Sequence, residues 1–169
     1  MDEQDKILYQ GRFLSLIDRG GWEFVARENC TCVVLILALT DDGGVVLVEQ
    51  NRPAMGGPVI ELPAGLVDLG EPPECAARRE LLEETGYLAD RIDAVASGPI
   101  SPGLTDETVM LFRASGLHKE GPGGGCVEEG ESITVHVVAS DQIDSWLADR
   151  HAQGMHVDLK VYAGLYFLA

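Results

Sequence analysis

One stretch, GLVDLGEPPECAARRELLEETGY at positions 65–87, constrains this chain more than any other. It opens on a segment rich in Gly and Pro, 63–73, which reads as an irregular turn. Pro72 and Pro73 suit the first turn of a helix, where a missing N–H costs nothing. From Glu74 to Thr85 the residues are good helix formers, and Gly86 stands where a helix commonly stops. With 3.6 residues per turn, Glu80, Glu83 and Glu84 fall within a sector of roughly 100°. Ala77 and Leu81 lie beside that sector and can anchor the helix to a core. An exposed helix usually balances each Glu with a Lys or Arg four residues on. Here those positions hold Glu84, Tyr87 and Leu88, so Glu80 and Glu84 repel one another unless a cation lies between them. Hard carboxylate oxygens suit Mg²⁺. On spacing alone, a metal site and a solvated acidic face both stay open.

The complete pattern is more specific. Gly65, Glu71, Arg79, Glu80, Leu81, Glu83, Glu84, Gly86 and Tyr87 occupy the fixed positions of the Nudix box, Tyr87 being a loose fit to its closing apolar position. The sequence therefore resembles the Nudix hydrolases. That resemblance implies a mixed α/β fold: an αβα sandwich about a mixed β-sheet, with a loop–helix–loop that binds divalent metal. It also implies Glu80 and Glu84 as principal metal ligands, with Glu83 and the carbonyl of Ala64 as further ones. Arg79 is expected to orient Glu83 or Glu71 by a charge-assisted hydrogen bond rather than to touch substrate.

The 169 residues read as one domain, 1–169, with 1–28 as an N-terminal hairpin extension. A formal charge of −16 excludes a general nucleic-acid binder, because no basic stripe is present to meet phosphates. An acidic protein can still act on a small phosphorylated molecule when metal supplies the local positive charge. Cys30 and Cys32, two apart in a strand-like run, are expected on one face as packing residues. The start MDEQDKILYQ lacks the basic and apolar regions of a signal peptide, and CVVLILAL is too short to span a bilayer. A reduced, cytoplasmic protein without membrane contact is the expectation.

Strand-like runs occur at 7–17 and 22–27 around Gly20-Gly21, then at 32–39, 45–49, 59–62, 92–100, 108–114 and 133–138. Residues 118–130 are dominated by Gly and Glu and read as a surface loop without order of its own. Helices are expected at 141–150 and 157–168. Strands interleaved with three helices make a mixed α/β domain.

Outside the box, Glu61-Leu62-Pro63-Ala64-Gly65, Pro102 within Ser-Pro-Gly, and the acidic tail 128–131 resemble the ADP-ribose pyrophosphatase subfamily. The resemblance implies Mg²⁺-dependent (alternatively Mn²⁺-dependent) hydrolysis of a nucleoside diphosphate sugar by a homodimer. It implies a loop glutamate as general base: Glu129 first, Glu131 second, Glu128 third. Arg52, Glu61, Pro102 and Glu107 are the candidate substrate contacts, while Trp22 and Phe24 could stack a base but are expected in the core. Rival readings are a GDP-mannose-type or nucleoside triphosphate pyrophosphohydrolase, and a non-catalytic nucleotide-sugar sensor.

Overall fold

The run CTCVVLILAL becomes β4 (Cys30–Leu39), the strand around which the main sheet is assembled. A computed structural model describes residues 5–125 and 132–168. Val34, Ile36 and Ala38 point to one face of β4 and Leu35 and Leu37 to the other, all at most 4% exposed. A strand buried on both faces needs an apolar side chain at every position, which is why this run shows no alternation.

Among the described residues the main sheet has eight strands. Its continuous path runs β11 (His156–Val157), β6 (Gly57–Glu61), β5 (Gly44–Arg52), β4, β9 (Thr108–Lys119), β8 (Tyr87–Pro99). Two more strands join the sides: β10 (Ile133–Ala139) pairs with β5, and β7 (Ala64–Asp68) pairs with β4. β4 and β9 are parallel, as are β11 and β6, whereas the remaining pairs are antiparallel. Helix α1 (Pro73–Thr85) covers one face through Ala76, Ala77 and Leu81, which pack with Val34, Ile36, Val46 and Phe112. Helices α2 (Ile143–Ala152) and α3 (Leu159–Leu165) cover the other, where Ile143, Leu147 and Val161 meet Leu35, Leu47 and Ile60. The result is the expected αβα sandwich. Burying a side chain such as Leu81 fully contributes about 2 kcal/mol to holding α1 on the sheet. Among the described residues no helix is long and apolar enough to cross a membrane.

Several local expectations are corrected. Residues 64–68, expected as part of a turn, form β7, because β4 offers an unfilled ladder over Cys30–Leu35. The N-terminal segment holds three strands rather than two: β1 (Asp5–Gln10), β2 (Leu14–Arg19) and β3 (Trp22–Arg27) form a separate antiparallel sheet. It touches the main body at one seam, where Val25 N–H donates to Leu104 O at 2.8 Å. A register shift between Cys30 and Cys32 breaks the alternation that would place both on one face. Only Cys32 packs against the core, and burial pushes the Cys30 thiol up from its usual value. The last helix begins at Leu159 rather than 157, capped by Asp158, whose carboxylate accepts from Lys160 N–H at 2.8 Å.

Candidate active site

Helix α1 is started and stopped by signals in its own sequence. Pro73 occupies its first turn, and Gly86 follows it in the left-handed conformation at φ +72°. Leu81 and Ala77 face the sheet, which leaves Glu80 and Glu83 on the edge beside β7.

Arg79 ties this edge together. Its guanidinium donates to Glu71 at 3.0 and 3.2 Å, to Glu80 Oε1 at 2.7 Å and to the carbonyl of Leu66 at 3.0 Å. Glu83 Oε2 lies at 3.4 Å. The guanidinium hydrogen bond holds the Glu71 carboxyl below its usual range, and Glu71 in turn raises the affinity of Arg79 for its proton. Arg79 therefore reaches Glu71 and Glu80 more closely than Glu83.

Glu84 differs from what exposure on a helix edge would give. It is only 5% exposed, and its Oε2 accepts from the backbone N–H of Ala64 at 2.9 Å. Because Ala64 is fixed opposite Leu35 in the β4–β7 ladder, this bond sets the distance between helix and strand. Gly65 makes room for the neighbouring acid. A Cβ at that position would stand 1.8 Å from the Glu80 carboxyl carbon, so the carboxylate fills the space a side chain would take.

The structure thus brings Ala64, Arg79, Glu80, Glu83 and Glu84 into one cluster. Its donors are hard oxygens, its acids outnumber its one guanidinium, and its glycine cradle is shaped around a carboxylate. These properties fit a divalent cation of the Mg²⁺ class. Among the described residues, the acidic, His and Cys side chains as placed form no group of three that could hold a metal ion. Glu80 is engaged by Arg79 and Glu84 by the Ala64 amide.

A second group lies on the same face of the sheet. Glu61, 8% exposed, accepts from Gln50 Nε2 at 2.9 Å and from Arg52 at 2.6 and 3.1 Å. Gln50, two before Arg52, shares this face because it alternates with Val46 and Val48 on β5. Pro102 and Glu107 are not joined to the acid cluster. Pro102 lines a cavity of about 220 Å³ with Arg19, Trp22, Phe24, Thr105 and Asp106. Glu107 is held by Arg27 Nε at 2.8 Å, which pins the 101–107 loop to β3. Phe24 is buried as expected, but Trp22 is 63% exposed. Glu128, Glu129 and Glu131, the candidate bases, lie outside the described residues.

The comparisons agree with this architecture. The NUDIX domain family matches residues 31–156, and the chain belongs to that family. Among curated relatives it is 43% identical over 84 residues to the ADP-ribose pyrophosphatase of Bacillus subtilis, covering 50% of this chain and 45% of that one. It is 37% identical over 127 residues to the ADP-sugar pyrophosphatase of Mus musculus, covering 70% and 56%. It is 33% identical over 117 residues to the methanol dehydrogenase activator of Bacillus methanolicus, covering 69% and 63%. The matches thus span roughly half of those relatives' length. A solved structure of an ADP compounds hydrolase shares the fold, with TM-score 0.75 and 19% identity over 97% of this chain and 89% of that one.

Proposed function

We propose that this chain hydrolyses the pyrophosphate bond of ADP-ribose or a related nucleoside diphosphate sugar, releasing a nucleoside monophosphate and a sugar phosphate. The observation that carries the reading is the acid edge of α1, complete in its carboxylates and braced by Arg79. A sensor domain without turnover has no need of that full set. Support for the substrate class comes from the relatives named as ADP-ribose and ADP-sugar pyrophosphatases.

In this reading Glu80, Glu83, Glu84 and the Ala64 carbonyl would hold Mg²⁺, with Mn²⁺ as the alternative. The bound cation would screen phosphate charge and acidify water. Arg79 keeps Glu80 and Glu71 in place, which is positioning work. Arg52 presents its guanidinium to a phosphate oxygen, oriented by the buried Glu61 and Gln50. Water attacks phosphorus, its proton passes to a carboxylate, and the P–O bond breaks toward the departing phosphate. From sequence we assign that carboxylate to Glu129, with Glu131 as its rival. The test is a panel of ADP-ribose, GDP-mannose and ATP with Mg²⁺, read by product chromatography. AMP with ribose 5-phosphate from ADP-ribose, at the highest kcat/KM of the panel, is expected. A preference for ATP overturns the substrate class.

We further propose that the chain forms a homodimer through the N-terminal sheet. Tyr9, Phe13 and Leu14 are exposed there, beside an apolar groove of about 450 Å³ that also includes Leu16 and Val25. A twofold-related copy would cover this face. Light scattering at micromolar concentration should report a dimer that Phe13→Glu dissociates. A monomeric wild-type protein rules the arrangement out.

A further inference from the structure

An α-helix leaves its last four carbonyls without partners inside the helix. In α1 those carbonyls belong to Leu82, Glu83, Glu84 and Thr85, two of them residues of the proposed metal site. Gly86 N–H satisfies Leu82 at 2.8 Å. The other three are satisfied from one distant segment: Gly125 N–H donates to Glu83 O at 3.2 Å, Gly124 N–H to Glu84 O at 2.8 Å, and Lys119 Nζ to Thr85 O at 2.6 Å. The helix has no basic residue in its own last turn, so Lys119 brings the cation that its C-terminal dipole favours. Lys119 also sits 4.5 Å over the Tyr87 ring, which fixes its direction.

The contact leaves no room for side chains. Gly123 has φ +68°, and a Cβ there would lie 2.4 Å from the backbone carbon of Thr85 and 2.8 Å from Glu84 O. On the opposite side, a Cβ on Gly86 would lie 2.2 Å from Gly121 O. The Gly-rich stretch expected to lack order is therefore docked, over residues 119–125, onto the end of the helix. Gly123 on the clasp and Gly86 on the helix are required where backbone meets backbone.

We propose that residues 119–125 form a positioning clasp for the proposed metal helix. By capping the carbonyls of Glu83 and Glu84 it fixes the backbone from which those two carboxylates project. Gly123 and Lys119 are positioning residues and touch no reacting atom. This inference rests on the hydrolase reading for its consequence in turnover, but the clasp itself can be read without turnover.

Gly123→Ala should lower kcat for ADP-ribose by roughly tenfold or more with KM within about twofold, since small misplacements of catalytic groups are costly. Gly98→Ala, on β8 outside the clasp, should behave as wild type, because a Cβ there meets nothing within 4 Å. Lys119→Met should reduce kcat less, and Lys119→Arg should restore it. In parallel, amide hydrogen exchange should show Gly124 and Gly125 protected in wild type and released in Gly123→Ala. If wild type turns over ADP-ribose and a folded Gly123→Ala matches its kcat, the clasp has no positioning role. If wild type does not turn over ADP-ribose, the hydrolase reading fails, and the exchange data still judge the clasp. Rapid exchange of both glycine amides in wild type overturns it.

Discussion

Glu84→Gln is expected to lower ADP-ribose turnover by about 10²-fold or more, the scale that neutralising a key ligand of the proposed metal would produce. The substitution preserves side-chain length and leaves one amide oxygen to accept the Ala64 N–H, so the helix-to-strand bond survives. The carboxylate is 5% exposed, and only its charge is removed. Circular dichroism and the melting temperature should therefore stay close to wild type. Glu83→Gln should be milder, because that side chain is 53% exposed and is the farthest of Arg79's carboxylate partners. Equal turnover of Glu84→Gln and wild type at the same Mg²⁺ concentration removes Glu84 from the site.

Gly65→Ala reaches the same site without changing any charge. The new methyl would stand 1.8 Å from the Glu80 carboxyl carbon and 1.9 Å from its Oε1. The flexible end of Glu80 gives way first, since β7 itself is anchored by its ladder with β4. Gly65 is not in the left-handed region, so alanine is tolerated by the backbone. A displaced carboxylate should lower kcat by roughly 10- to 10²-fold, the range that misplacement by about 1 Å can produce. Gly57→Ala, where a Cβ meets nothing within 4 Å, is the matched control. Full activity in Gly65→Ala would show that the direction of Glu80 does not matter.

Much of this arrangement is legible in the sequence because local rules and the fold agree. The α1 helix carries its proline start, its glycine stop and its anchoring Leu81, so its acid edge follows from helical period alone. The doubly buried β4 is equally plain, since the continuous apolar run of eight residues from Cys32 to Leu39 has few other uses. What fails to show is what depends on distant partners. Residues 64–68 look like a turn until the free edge of β4 recruits them. Glu84 reads as exposed by helical position, yet Ala64 closes over it. Residues 119–125 look too polar and too rich in glycine to be ordered, because composition cannot show that the end of another helix is waiting for their N–H groups. The ion pair of Glu107 with Arg27, eighty positions away, is equally invisible to local pattern.

If the acid edge of α1 binds the divalent cation that hydrolysis needs, the protein takes up that cation without substrate. Mn²⁺ binding followed by electron paramagnetic resonance tests it most directly, because free Mn²⁺ gives a signal that bound Mn²⁺ loses, and no substrate is involved. Titrating wild-type protein should deplete the free signal, and Mg²⁺ should compete it back. Glu84→Gln should bind at least tenfold more weakly, a difference of about 1.4 kcal/mol. Equal Mn²⁺ affinity in the two proteins, or no depletion by wild type, would contradict the account.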